Sequence, residues 1–338
     1  MPHTTNPPTS TAATSPADSL LQRGASWSRR RDLGCALALA AGATALMLGR
    51  SPALQRRSTL LAKATTFSHY GVLGWAVSST LAMLPPRRPA VASLGLAGLV
   101  TQSSWFIRYF AAPQTDASPV PRARIVSLNV EYGHADPESV VELTRSADVV
   151  VLIEVTPRML DSLASLGFND EFSHRIGDGE PNSKGTTIHS RYPFDLLDEI
   201  GTRFQSKLVR LAHSAGDLLI AGVHPISPMG SVEQWNDDAR VLRESLEPHL
   251  DRPLVVIGDF NSVDCHHTMR ALKAAGLHDA AQQLGRGPVL TWPMRILPTP
   301  LVAIDHALTT ARVRPLSLRS VRVPRTDHAA LVLDVAIA

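Results

Sequence analysis

Cysteine is nearly absent. There are two in 338 residues, Cys35 in an apolar run and Cys265 in the later polar half, which excludes a disulfide framework. No Cys/His cluster at zinc spacing is present either. Aromatic residues are scarce at 5%, and no run of Arg, Lys and aromatics stands ready to grip DNA. Neither charge sign dominates. A net charge of +3 and a pI near 9.1 are too mild to signal a nucleic-acid binder without a localised basic stripe. No internal repeat is visible. No Gly-rich loop ending in Lys-Ser or Lys-Thr is present, which argues against nucleotide-driven transfer.

What the chain has is size and order. With 338 residues, 44% of them hydrophobic, it can hold one large domain and an appendage. Residues 1–31 are rich in Thr, Ser, Pro and Ala and end in Ser28-Arg29-Arg30-Arg31, the composition of a disordered tail with a basic end. Residues 32–110 then carry three apolar segments, Leu33 to Gly49, Phe67 to Leu84 and Ala90 to Ile107. Each is close to the roughly 17–25 residues of a membrane-spanning helix. The small residues Gly71, Gly74, Ser78, Gly95 and Gly98 favour packed membrane helices over a soluble bundle. Loop charges do not decide orientation, but Pro85-Pro86-Arg87-Arg88-Pro89 reads as a cytoplasmic hairpin, which would place the C-terminal domain outside. Residues 111–121, with Pro113, Pro119 and Pro121, read as a linker.

The domain over 122–338 alternates short strands and helices, which implies two packed sheets with outer helices. Its clearest stretch is Leu254-Val255-Val256-Ile257-Gly258-Asp259-Phe260-Asn261: a buried strand that runs into a carboxylate and an amide. Asn129, Glu154, His224, Asp305, Asp327 and His328 stand at other strand ends. Oxygen donors of this type suit Mg²⁺ or Mn²⁺ better than zinc. Ser190 and Arg191 read as loop pins, and His189, His213, His266, His267, His278 and His306 as bystanders.

This set, in this order, resembles the endonuclease/exonuclease/phosphatase superfamily, the DNase I-like metal-dependent phosphoesterases. The resemblance covers roughly residues 122–338. It is carried by Ser-Leu-Asn129, Ile-Glu154-Val, Gly-Thr-Thr-Ile-His-Ser190-Arg191-Tyr-Pro, Val-His224-Pro, Gly-Asp259-Phe-Asn261, Thr291-Trp292-Pro, Ile-Asp305-His and Thr-Asp327-His328. It implies an α/β fold, a four-layer α/β sandwich, beside the three-helix transmembrane region. It also implies roles. Glu154 is the principal metal ligand, with Asn129 and Asp327 beside it. Asp259 orients and deprotonates the attacking water, and Asn261 binds a phosphate oxygen. His328 contacts the phosphate while Asp305 holds its ring. His224 sits where nuclease members carry a His that protonates the leaving oxygen.

The three apolar segments resemble a membrane-anchored bacterial branch linked to vancomycin and teicoplanin resistance. The expected function is therefore a Mg²⁺- or Mn²⁺-dependent phosphoesterase in the cell membrane, its catalytic domain extracytoplasmic. Its partners would be the bilayer and a phosphate-containing substrate, such as a lipid-linked phosphate or pyrophosphate, with no obligate protein partner. A tethered nuclease acting on DNA or RNA is the alternative. A silent domain that binds phosphorylated headgroups or a partner ranks last.

Overall fold

The computed structural model describes residues 16–111, 122–213, 216–295 and 299–337. The first part of the expected tail and nearly all of the expected linker lie outside the described residues. The chain forms two compact units, Met1–Thr44 with Tyr70–Gln102, and Ala45–His69 with Ser103–Ala338. The division differs from the expected boundary at 122, because residues 45–69 and 103–110 group with the C-terminal domain.

In the first unit, the tail expectation is corrected. Pro16–Arg50 is one helix, so the Arg29-Arg30-Arg31 run is helical. Good helix formers continue upstream of the apolar run, and the buried Arg31 guanidinium donates to the carbonyls of Leu84 and Pro86, both at 2.8 Å. Two of the three segments expected to span have the length and hydropathy to do so. Gly24–Arg50 and Pro89–Ile107 are long and apolar enough to cross a membrane. The middle segment is helical only over Gly71–Met83. Its 13 residues rise about 20 Å, short of a hydrocarbon core about 30 Å thick. Close packing of small residues holds here. A Cβ on Gly98 would fall 2.3 Å from the Trp75 ring, and one on Gly74 would fall 2.7 Å from the Ala38 carbonyl oxygen.

In the second unit, the described strands are β1 (Arg122–Asn129), β2 (Val149–Ile153), β3 (His174–Ile176), β4 (Thr186–Ser190), β5 (Phe194–Ile200) and β6 (Ser206–His213). They continue with β7 (Gly216–Val223), β8 (Leu254–Asp259), β9 (His278–Asp279), β10 (Asp305–Thr309), β11 (Val313–Arg322) and β12 (Ala329–Ile337). They form two six-stranded sheets, in the orders β11-β12-β1-β2-β4-β3 and β5-β6-β7-β8-β10-β9. Strands buried on both faces read as unbroken apolar runs, and β2 and β8 are such strands. Ile125, Val149, Val151 and Ile153 of one sheet pack with Val209, Ile220, Val255 and Ile257 of the other. The helices Pro137–Thr144 and Pro157–Ser165 close the outer face of the first sheet, and Val232–Leu246 and His267–Ala274 that of the second. The result is the expected four-layer sandwich.

One topological feature positions the site. Each sheet has a single parallel pair among the described strands, β1 with β2 and β7 with β8. Parallel neighbours end at the same edge, so Asn129 and Glu154 finish side by side, as do His224 and Asp259. β10 and β12 run antiparallel to β8 and β1, so they start at that edge; Asp305 pairs with Asp259. Gly258 is needed inside β8. At φ +153, a Cβ there would stand 2.1 Å from the Val223 carbonyl oxygen.

Residues 45–69 strap the second sheet's outer face. The Gln55 side chain is fully buried; it donates to the carbonyls of Leu48 and Cys265 at 2.7 and 3.3 Å and accepts from His267 N–H at 2.7 Å. His266 Nε2 lies 3.0 Å from the Ala62 carbonyl, and Ala62 packs on Trp235 and Val232. Deeper in, His306 sits between Asp279 (Nδ1 to Oδ2, 3.3 Å) and the Ser262 carbonyl (Nε2 to O, 2.8 Å).

Two stability outcomes follow. Gln55→Ala strands three buried polar groups; it should cost about 2 kcal/mol or more and lower Tm by roughly 4–8 °C in thermal melts of the full chain. Burial opposes the charge on His306, but Asp279 outweighs it and raises its pKa. The stability from that rise is complete below the unfolded value of about 6.5 and is lost as pH climbs through the folded value. Tm should therefore fall over that upward range, and His306→Gln should flatten the slope; equal slopes in both proteins would refute the pairing.

Candidate active site

Every residue expected at the site lies within 4 Å of another member of the rim, seven of them through their side chains and Asn261 through its backbone. Asn129 Nδ2 donates both to Glu154 Oε1 and to Asp259 Oδ2, each at 3.1 Å. Its Oδ1 accepts from Glu131 N–H at 2.9 Å, which fixes which end is oxygen. Asn129 thus acts as a donor bridging two carboxylates, and its oxygen is turned to the backbone. Glu154 Oε2 accepts from Tyr132 N–H at 3.2 Å. His224 Nε2 lies 3.8 Å from Glu154 and 3.7 Å from Asp259. His328 Nδ1 meets Asp305 Oδ2 at 2.9 Å, leaving Nε2 at 3.8 Å from both Asp259 Oδ2 and Asp327 Oδ1. Asn261 joins through its backbone, donating N–H to Asp259 Oδ1 at 2.8 Å, while its amide Nδ2 donates to the Pro225 carbonyl at 3.1 Å.

The backbone at these positions is unusual. Glu154 and Asn261 follow the ends of β2 and β8 and take φ values of 57° and 50°. Asn tolerates this left-handed region, whereas Glu does so rarely.

Burial sets the electrostatics. It raises the pKa of Glu154 against the Asn129 donor. Burial, then the Asp305 charge, pushes Asp259 up to about 7. Burial presses His328 down, but Asp305 and Asp259 prevail and raise it to about 10, so the ring is an imidazolium. Burial, then His328, drives His224 to about 3, so that ring is neutral. A neutral His224 is a poor proton donor to a leaving oxygen at neutral pH, unlike the role the resemblance implies. Its Nε2 can still serve as a hydrogen-bonding group.

Asp259, Asp305 and His328 offer ligand atoms all within 4.8 Å of one another, a group able to hold a metal. The charge already on His328 and its bond to Asp305 make that side a weak place for a second cation. The buried carboxylate of Asp259 and the partly buried one of Glu154 share one amide on the other side, where a dication would relieve their desolvation. The oxygen donors there fit Mg²⁺ or Mn²⁺.

Sequence reasoning missed several supports. Trp292 donates Nε1–H to Asp327 Oδ2 at 3.0 Å. Thr291 Oγ1 accepts from Asp305 N–H at 3.2 Å, and Thr326 donates to the Asn129 carbonyl at 2.8 Å. Arg295 pairs with Glu131 at 3.0 Å, and Tyr132, half exposed, stands beside Glu154. The signal available was position: Glu131 and Tyr132 stand two and three residues past the β1 end, and Thr326 precedes the Asp327-His328 motif. Arg191 does pin a loop, donating to the carbonyls of Ala147 and Arg145 at 2.7 and 2.6 Å.

The sequence profile of the Endonuclease/Exonuclease/phosphatase family matches residues 126–328. No curated protein matches the chain. Among solved structures, the fold is similar to Danio rerio TDP2 complexed with a single-strand DNA product, at 17% identity and TM-score 0.51, covering 63% of this chain and 98% of that one. An AP endonuclease from Archaeoglobus fulgidus is similar at 14% identity and TM-score 0.50, covering 62% and 98%. A family protein from Bacteroides thetaiotaomicron gives 12% identity and TM-score 0.50, covering 65% and 100%. The profile spans more than half of the residues and takes in all eight expected side chains: the chain belongs to the endonuclease/exonuclease/phosphatase family of metal-dependent phosphoester hydrolases.

Proposed function

We propose that this chain is a membrane-tethered, Mg²⁺-dependent phosphoesterase that cleaves a phosphate ester or pyrophosphate, with a lipid-linked phosphate of envelope synthesis as its substrate. The observation that carries the chemistry is the shared rim, where Asn129 joins Glu154 to Asp259 across the two sheets. The two apolar helices support the tether, and the Arg87-Arg88 hairpin supports an extracytoplasmic domain. A tether holds the rim within reach of lipid headgroups.

Glu154 and Asp327, with Asn129 in support, would hold Mg²⁺ or Mn²⁺, which when bound neutralises charge on the phosphate's non-bridging oxygens. Asp259 orients the attacking water and takes its proton; a pKa near 7 suits a base at neutral pH. His328, charged and aimed by Asp305, sets a positive N–H against the phosphoryl oxygens. Asn261 offers an amide to a phosphate oxygen, and His224 lines the same wall through Nε2.

A nuclease is the second reading, favoured by the similarity to a TDP2 structure that holds a DNA product.

Asp259→Ala should lower phosphodiester hydrolysis by about 10²–10⁴-fold, the usual contribution of a positioned base, with the fold retained. EDTA should abolish activity and Mg²⁺ should restore it; activity that survives both treatments would refute the mechanism. A panel of polyprenyl pyrophosphate, phosphomonoesters and single-stranded DNA separates the two readings. Turnover of DNA alone would reject the lipid-linked substrate.

A further inference from the structure

Arg50, Arg56 and Arg270 are positive groups with no salt bridge among the described residues. Asp264, the carboxylate whose charge Arg270 feels, is engaged by Lys273. One guanidinium nitrogen of Arg270 is buried without a hydrogen-bond partner. Arg50 lies 5.4 Å from the centre of the Trp105 ring, whose indole Nε1 is likewise buried and unpartnered. Gln55, next to Arg56, fastens to His267 N–H at 2.7 Å, and Arg270 lies one helical turn beyond His267. Burial lowers the His267 pKa to about 4, and the Arg56 and Arg270 charges press it the same way.

The place in the chain adds to this. Arg50 ends one helix able to span a bilayer, and Trp105 stands two residues from the end of the other. Basic and Trp side chains gather at the membrane–water boundary. The strap between them exposes Leu60 at 73% and Phe67 at 44%.

We propose that Arg50, Arg56 and Arg270 bind the phosphate of an anionic phospholipid headgroup, with Leu60 and Phe67 set into the acyl boundary. The site rests on the tether reading above and shares no residue with the catalytic rim. A bound headgroup supplies the anion that the three guanidinium groups lack. It would hold the strap, and through Gln55 the loop of Cys265 to His267, against the membrane surface.

The full chain, purified in neutral detergent, should retain phosphatidylglycerol over phosphatidylcholine when native mass spectrometry counts bound lipid. The R50Q/R56Q/R270Q variant should lose that preference by about five-fold per charge removed, the factor that ~1 kcal/mol per basic group gives. R50K/R56K/R270K should keep most of it, and both variants should hydrolyse a soluble phosphodiester as the parent does, which establishes that they fold. Equal phosphatidylglycerol retention by the Gln variant would overturn the proposal. So would displacement of the lipid by inorganic phosphate, which would make this a free-phosphate site. Alkaline carbonate extraction separates the two readings. Release of the chain from membranes sinks the tether itself, whereas a carbonate-resistant chain without lipid preference sinks this site alone.

Discussion

A single amide ties the two halves of the molecule together where the chemistry sits. Asn129 leaves β1 in one sheet and donates to Glu154 of the same sheet and to Asp259 of the other. A buried carboxylate without a donor would cost several kcal/mol or take up a proton. Two of them at one edge are tolerable only with shared donors and nearby positive charge. His328 supplies part of that charge, and the site's remaining demand is for a divalent cation. The metal dependence of the family thus has a local cause in this chain: the rim carries more buried negative charge than its own cations offset.

The same logic explains why the site lies at one edge of the sandwich. A parallel pair in each sheet brings two strand ends together, and the antiparallel partners begin there. The facing cores of Ile125, Val151, Ile220 and Ile257 then fix the distance between the two pairs. Rim geometry is therefore inherited from core packing, and a shift of one residue in β8 would turn Asp259 away from the partner sheet.

The central strands were legible in the sequence because β-branched runs such as Val149 to Ile153 and Leu254 to Ile257 have no other reading at that length. The edge strands were not. β11 carries Pro315 and a bulge between Pro315 and Ser317, so its alternation changes phase and reads as loop. β5 has a similar break between Leu196 and Asp198. The start of the helix Val232–Leu246 carries a local signal, since Ser231 and Gln234 spell an N-terminal cap and Ser231 accepts from Gln234 N–H at 3.3 Å. At the site, side chains fixed by strand ends were readable from position alone. Tyr132, Arg295 and the Trp292–Asp327 bond were not, because they depend on left-handed turns and on loops converging from distant parts of the chain. The strap was hidden for a further reason: Gln55 and Ala62 carry no periodic signal, and their partners His267 and His266 each lie more than two hundred residues away.

The left-handed residues show how the edge stays rigid without a ligand. Glu154 directly follows β2 and Asn261 stands two residues past the end of β8, and each such conformation costs of order 1–3 kcal/mol for a residue with a side chain. That cost persists only where surroundings fix the backbone. Both residues follow fully buried strands, and both are held by hydrogen bonds of their own: Glu154 to Asn129 and Tyr132, Asn261 to Asp259 and Pro225. Relaxing either turn would break two hydrogen bonds and leave a buried polar group unsatisfied, a larger loss than the strain relieved. The carboxylates are consequently aimed before any cation or substrate arrives. Little reorganisation is then required of them, and preorganised charge of this kind is what phosphoryl transfer demands of a protein.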